Sequence, residues 1–256
     1  MATGCVTSDD ELDELATTEQ AASWASFATR SINGTESGYS YSDPIGSDSG
    51  MSCFLAGVGG NLVHEWRYTT PYAGVFRSGG EWKIQSRPGD ITAKVRTKAL
   101  CLNTVKARTS PVEWTGGAAI AVASATANPK LRCFLSKVSA LHTNYFPLDW
   151  AASTDKVHVW SDGLTWWIGG EGNAQGAAYC IEVQADVGGE YYWHGTTGDL
   201  AYNDQSPGTQ CFLTGVRGKF RTDSYDSGVF INYDAGTNRF KMYAEGGKGG
   251  WARCIK

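Results

Sequence analysis

Short runs of alternating apolar and polar residues, separated by Gly, Asn, Asp and Ser, recur along most of the chain. Alternation with a period of two is typical of β-strands with one buried face, whereas an amphipathic helix needs a period near 3.6. Three runs carry a pair of large apolar residues two positions apart: "EWKI" from Glu81, "TWWI" from Thr165 and "RFKM" from Arg239. The pattern therefore predicts an all-β protein.

A six-residue phrase occurs three times, as "CFLAGV", "CFLSKV" and "CFLTGV", beginning at Cys53, Cys133 and Cys211. Each copy is followed by a strand that opens with Val, a turn that contains Gly, and a second strand, which together predict a β-hairpin. These valines, taken as equivalent, are Val75, Val157 and Val229. Trp114 and Trp193 follow Cys101 and Cys180 at the same distance, which extends the similarity upstream. The chain is thus predicted to contain three tandem pseudo-repeats of about 75 to 80 residues.

The repeats divide the chain into residues 31–101, 102–180 and 181–256, preceded by a tether or short helix over residues 1–30. Within that first segment, Ser8 is a suitable N-cap, but acidic tethers of this composition are also commonly disordered, so helix and coil both stay open. Two arrangements satisfy the repeat: three small β-modules in a row, or one body with pseudo-threefold symmetry. The units are longer than those expected of a β-trefoil, which favours three packed β-modules.

Six of the seven cysteines form three pairs with a similar separation, one pair in each repeat. Because the spacing recurs, a disulfide within each repeat is the simplest pairing. The predicted bridges are Cys53–Cys101, Cys133–Cys180 and Cys211–Cys254. Such bridges persist in oxidising compartments, which predicts a secreted or outer-surface protein.

Cys5 is the unpaired cysteine, in the stretch "ATGCVTSDDELDELATTEQAAS". Small residues before a cysteine and an acidic, Ser- and Thr-rich stretch after it resemble the lipobox and tether of secreted bacterial lipoproteins, particularly those of predatory soil bacteria. The resemblance covers about 20 residues and implies that Cys5 carries a lipid in the precursor. A free thiol in a tail is the other interpretation.

The charge distribution excludes some partners. The formal net charge is −4 with scattered Lys and Arg, so the basic stripe that nucleic acid requires is missing. No run of 18 apolar residues predicts a membrane span. No C-x-x-C knuckle or His cluster indicates a metal, and no cofactor motif is present.

Aromatic residues are concentrated in the variable segments, where the three copies differ. Loops between strands run over the surface, and an aromatic ring fringed by polar groups complements the apolar face and hydroxyls of a sugar. The residues expected to bind a ligand are Trp66, Tyr68, Tyr72, Tyr145, Trp150 and Tyr225. Trp160 and Trp167 also occur in one copy only.

Three functions are consistent with the sequence. The favoured one is a secreted, non-catalytic, lectin-like protein, since none of the common catalytic motifs occurs and linked weak sites gain avidity. The second is a structural protein of the extracellular envelope that associates with itself. The third is a hydrolase of extracellular polymers, with Asp223 and Asp226 or Asp149 and Asp155 as its carboxylates. "DAGTN" from Asp234 is too short to count as a calcium loop.

Overall fold

The computed structural model of the protein describes residues 28–34, 41–63, 70–89, 93–103, 108–140, 149–195, 198–200, 209–222 and 224–256. These residues form β-strands and turns, which confirms the all-β prediction. The strands are β1 (Ala28–Gly34), β2 (Tyr41–Ser47), β3 (Met51–Gly60), β4 (Tyr72–Ser78), β5 (Glu81–Arg87), β6 (Val95–Asn103), β7 (Val112–Trp114), β8 (Ile120–Ser124), β9 (Leu131–Ala140), β10 (Lys156–Ser161), β11 (Thr165–Glu171), β12 (Ala174–Glu182), β13 (Asp186–His194), β14 (Gly198–Asp199), β15 (Gln210–Arg217), β16 (Gly228–Asp234), β17 (Arg239–Ala244) and β18 (Gly249–Ile255).

Most of the tether, including Cys5, lies outside the described residues. Its last part, Ala28 to Arg30, begins β1, so the segment considered for a helix ends in a strand. Since the described part of the chain holds no helix, it holds none long and apolar enough to cross a membrane.

The strands form three six-stranded sheets, and each sheet combines three strands from one predicted repeat with three from another. Sheet A has the order β1-β6-β3-β16-β17-β14, sheet B has β2-β5-β4-β9-β12-β7, and sheet C has β13-β18-β15-β10-β11-β8. The central contacts β3–β16, β9–β4 and β15–β10 join repeat 1 to repeat 3, repeat 2 to repeat 1, and repeat 3 to repeat 2. This cyclic pairing corresponds to the single-body arrangement, since no repeat has a sheet of its own. The repeat boundaries themselves stay a prediction.

The three predicted disulfides are confirmed. In each, the two cysteines face each other directly across neighbouring antiparallel strands, with Cα atoms 3.9 to 4.0 Å apart. All six side chains are fully buried. The bridges therefore tie together strands that are already paired, within one sheet each.

The phenylalanine that follows the first cysteine of each bridge lies at the centre of the molecule. The ring centroids of Phe54, Phe134 and Phe212 are 4.9, 5.0 and 5.0 Å apart in the three pairs, and all three side chains are fully buried. Successive side chains of a strand point to opposite faces, so cysteine and phenylalanine serve opposite faces of each sheet. The repeated "CF" thus supplies a disulfide on one face and a central ring on the other.

The hairpin register corrects one equivalence expected from the sequence. Val75, Val159 and Ile231 are the equivalent residues, because they pair with Ile84, Ile168 and Met242. Val157 and Val229 lie two residues earlier than that position. A shift of two keeps a residue on the same face of its strand, so the apolar pattern alone does not distinguish the two alignments.

Replacing Phe54 with alanine should lower the free energy of unfolding by about 3 to 5 kcal/mol, because the other two central rings cannot collapse into the space left behind. Urea unfolding with the disulfides intact measures the change. Leu164→Ala is the control, since this side chain is 65% exposed and its loss should change stability by less than about 0.5 kcal/mol. Equal effects of the two variants would contradict a central role for the phenylalanines.

Lys248 should make stability depend on pH. Its side chain is buried, Nζ donates to Ser227 Oγ at 2.7 Å and lies 5.3 Å from the Phe220 ring centroid. Burial lowers the pKa of Lys248 from 10.5 to about 8, against an opposing effect of the Glu245 charge. Below about pH 8 the folded state carries the cost of burying a charged ammonium. Between these two pKa values the unfolded chain binds more protons than the folded chain, so this cost falls and the free energy of unfolding rises with pH.

Urea unfolding should therefore show that raising the pH from 7.5 to 9.5 increases the free energy of unfolding of the wild-type protein relative to that of Lys248→Met. A difference between the two proteins that stays constant over that range would contradict the lowered pKa.

Candidate functional site

A row of four rings crosses sheet C, and we call it the ring ladder: Tyr192, Trp251, His158 and Trp160. The strand register sets its order, because Tyr192 on β13 pairs with Trp251 on β18, which pairs with Gly215 on β15, which pairs with His158 on β10. Trp160 follows two residues after His158 and so lies on the same face. Residues far apart in the sequence thus form one line across four strands.

The rings of the ladder contact one another from end to end. Centroids are 4.7 Å apart for Tyr192 and Trp251, 4.6 Å for Trp251 and His158, and 5.6 Å for His158 and Trp160. The last two pairs are stacked, with interplanar angles of 25° and 29°. Offset stacking is a favourable arrangement of aromatic rings, so each ring holds its neighbour in place.

Gly215 makes the closest contact of the ladder possible. A Cβ atom at this position would lie 2.8 Å from Trp251 Cε3 and 2.9 Å from His158 Cδ2, closer than real Cβ contacts allow. Trp251 and His158 therefore meet above a residue without a side chain.

The carboxylate of Glu190 is held beside the ladder. Its Oε1 accepts a hydrogen bond from Thr214 Oγ1 at 2.6 Å, and both of its oxygens lie 3.2 Å from His158 Nε2. Burial raises the pKa of Glu190, but hydrogen bonds from His158 and Thr214 together with the charges of His158 and Arg253 outweigh it. The pKa of Glu190 consequently lies below its usual value, and the group is ionised at neutral pH.

The outer end of the ladder is open to solvent. Tyr192 is 46% exposed and lies on β13, the edge strand of sheet C. Glu190 lies two residues before Tyr192 and therefore on the same face of β13. The next residue, Trp193, is 36% exposed but packs near Gly198 of sheet A, on the other face of β13. An exposed ring and a fixed carboxylate thus lie side by side at this edge.

Of the six ligand-binding residues expected from the sequence, the three that the structure describes, Tyr72, Trp150 and Tyr225, do not belong to the ladder. Trp150 is fully buried and packs against Phe220 at 5.2 Å, so it belongs to the core and the prediction of a surface role is not supported. Tyr72 and Tyr225 are half-buried, each with a lysine ammonium near its ring, at 5.7 and 5.4 Å. Trp66, Tyr68 and Tyr145 lie outside the described residues.

Two of the four carboxylates considered for hydrolysis, Asp155 and Asp226, have structural partners. Asp155 is buried and accepts hydrogen bonds from the backbone N–H groups of Ala152 and Asn173 at 2.8 and 3.0 Å. Asp226 forms an ion pair with Arg96 at 2.8 Å, and Asp223 lies outside the described residues. These contacts explain Asp155 and Asp226 as a turn group and a surface group, and the Asp149 carbonyl accepts from Asn173 Nδ2 at 3.0 Å.

The acid of the "DAGTN" turn also has a partner. Asp234 accepts from the N–H of Gly236 at 2.9 Å and pairs with Lys241 Nζ at 2.5 Å. The hydrogen bond from Lys241 is the largest cause of a pKa lowered to about 2. A lysine ammonium thus takes the place beside Asp234 that a cation would use. No group of three metal-ligating side chains occurs within the residues described.

The sequence contained part of the ladder signal. "VHVW" places His158 and Trp160 on one face of a strand, and "EYYW" places Glu190 and Tyr192 on one face of another. The contact between these two pairs depends on which strands are neighbours, and that information is absent from either stretch alone.

Comparison with protein-family models, with curated proteins and with solved structures gives no match for this chain.

Substituting Gly215 with alanine should force Trp251 and His158 apart and lower the free energy of unfolding by about 1 to 3 kcal/mol, the usual cost of overpacking. Near-ultraviolet circular dichroism should change with it, because that signal depends on how tryptophan rings are fixed. Gly74→Ala is the matched control: an added Cβ there meets its nearest atoms at 3.5 Å or more, an ordinary contact. A Gly215→Ala protein with wild-type stability and spectrum would contradict the close packing over Gly215.

Proposed function

We propose that the protein is a non-catalytic carbohydrate-binding protein that contacts saccharides at the Tyr192 end of the ring ladder. The observation that carries the proposal is the exposed Tyr192 ring, backed by Trp251 and flanked on its own strand by the ionised Glu190. A pyranose presents an apolar face of C–H groups and a rim of hydroxyls. The ring complements the first and the carboxylate complements the second.

Preorganisation supports this assignment. Trp251 packs against Tyr192 with ring centroids 4.7 Å apart while Tyr192 stays 46% exposed, and the stacking of Trp251 on His158 limits the freedom of both rings. Glu190 is likewise held by Thr214 and His158. An ionised carboxylate has about four acceptor positions, and these two partners leave capacity for a hydroxyl of a ligand. Little side-chain entropy is then lost on binding.

The state of Glu190 does not suit it to the general-acid role in hydrolysis. A general acid of a glycoside hydrolase needs a raised pKa so that it holds a proton near neutral pH. The pKa of Glu190 is shifted in the opposite direction, because its hydrogen-bond donors stabilise the charged form. It is therefore suited to accept hydrogen bonds from hydroxyls.

The proposed location is extracellular, secreted or attached to the outer surface. Three disulfides are compatible with an oxidising compartment. Attachment through a lipid on Cys5 rests on the resemblance of residues 1–20 or so to lipoprotein tethers.

Self-assembly through β13 is the second candidate function. This nine-residue edge strand carries two exposed aromatic residues, and an exposed edge is a template for pairing with another chain. Light scattering at high concentration separates the two proposals: a strict monomer would rule out assembly and leave saccharide binding unaffected.

Tyr192→Ala should weaken binding to a saccharide retained by the wild-type protein on a glycan array by about tenfold, because the exposed stacking surface is lost. Titration calorimetry with that saccharide measures the dissociation constant. Trp193→Ala is the matched control, since it removes the adjacent exposed ring on the opposite face of β13 and should leave the constant unchanged. Retention of no glycan by the wild-type protein, or equal losses in both variants, would overturn the proposal.

A further inference from the structure

A groove with a volume of about 630 Å³ lies on sheet B, at the place that corresponds to the ring ladder of sheet C. In sheet C the row across the strands is Tyr192, Trp251, Gly215 and His158. In sheet B the same register gives Glu113, Ala177, Lys137 and Gly74.

The groove is open because small residues stand at two of the four ring positions of the ladder, while the position of Trp160 keeps a ring, Phe76, which lines the groove. Ala177 stands three residues before Cys180, as Trp251 stands three before Cys254, and Gly74 stands where sheet C has His158. At the central position the exchange is reversed, because Lys137 replaces Gly215 and adds an ammonium group. Sheet B thus has space and positive charge where sheet C has stacked rings. The volume is within the usual range for small-ligand sites.

The floor of the groove is apolar because its polar atoms are already bonded. Tyr179 and Trp82 line it, with ring centroids 5.6 Å apart. The Tyr179 hydroxyl donates to the Cys53 carbonyl at 2.6 Å, and Trp82 Nε1 donates to the Met51 carbonyl at 2.9 Å. Both side chains are only about 2% exposed, so they form a rigid backing beneath the groove and offer a ligand no hydrogen bonds.

Positive charge exceeds negative charge among the side chains that line the groove. Three cations, Arg77, Arg108 and Lys137, are opposed by one carboxylate, Glu113. Lys137 and Glu113 pair at 3.2 Å, but their side chains are 37% and 60% exposed, so this pair contributes little and is readily exchanged.

Arg108 supplies charge that no carboxylate of the described residues neutralises directly. Its Nη1 and Nη2 each donate to the Asp48 carbonyl at 3.1 Å, and Nη1 also donates to the Met51 carbonyl. The Asp48 carboxylate instead pairs with Arg77. Among the residues that the structure describes, Arg108 forms no ion pair. Its guanidinium therefore leaves one end of the groove positive.

We propose that this groove is a second binding site, which takes a carboxylate-bearing saccharide such as an oligomer of uronic acid. Sugar rings lie beside Phe76 and Pro111, which line the groove and are not buried. The carboxylate replaces Glu113 beside Lys137 near Arg108. The site shares no residue with the ring ladder, so it does not rest on the function proposed for sheet C.

The test is calorimetric titration of the full chain at low salt with a galacturonic acid trisaccharide and with its methyl ester, which has the same rings and no charge. The acid should bind, and the ester should bind at least about tenfold more weakly, as expected for loss of a charge-assisted contact. Added salt should weaken binding of the acid trisaccharide, because charges at a partly exposed site are screened. Equal binding of acid and ester, or binding of neither, overturns the proposal.

Four variants locate the site. Lys137→Met should weaken binding of the acid trisaccharide about tenfold. Glu113→Gln should strengthen its binding, because the competing carboxylate is removed. Ala177→Trp should abolish its binding by filling the groove as Trp251 does in sheet C. Lys219→Met, at an exposed position outside the groove, is the charge-matched control and should change nothing. Glu113→Gln keeps the test valid if another variant fails to fold: weaker or unchanged binding in that protein contradicts the proposed competition.

Tyr192→Ala separates the two proposed sites. Binding of the acid that survives this substitution supports an independent groove, whereas loss of the acid would assign it to the ladder and overturn the second site.

Discussion

Phe54, Phe134 and Phe212 lie on β3, β9 and β15, which belong to three different sheets, and their rings meet within 5.0 Å. This contact requires all three sheets to converge, because each ring is in contact with the other two. In a close-packed interior, a shift of one strand would open a void at the centre or cause overlap there. The position of each sheet is therefore constrained by the other two. The disulfides hold together the strand pairs on which these rings lie.

The constraint extends outward from the centre on sheet B. Tyr179 stacks on Phe54 at 4.3 Å and on Trp82 at 5.6 Å, and its hydroxyl bonds to the Cys53 carbonyl of sheet A. A single buried side chain thus connects the central rings, a neighbouring sheet and the floor of the groove. A ligand in that groove would lie against a rigid surface.

The three sheets share one strand register, but the side chains at equivalent positions differ in size and charge. The row in sheet C is occupied by rings, and the row in sheet B combines small residues with Lys137. In sheet A the same positions hold Lys98, Gly57 and Phe230, with the Lys98 ammonium donating to Asn232 Oδ1 at 2.6 Å. Residues that converge at the centre are alike in all three copies, whereas residues on these rows differ. This distribution is expected where close packing restricts the residues at the centre more than the residues on the rows.

The sequence by itself determined the strands, their hairpins and the disulfide partners, because alternation, turn residues and recurrent spacing act locally or repeat visibly along the chain. Only the tertiary structure decided that Trp150 is buried, that Val159 rather than Val157 is equivalent to Val75, and that Tyr192 meets Trp251. The physical reason is that face and register arise from pairing between strands of different repeats. The two-residue period of a strand shows which of its residues share a face, but the partners of each residue depend on the strand that lies beside it.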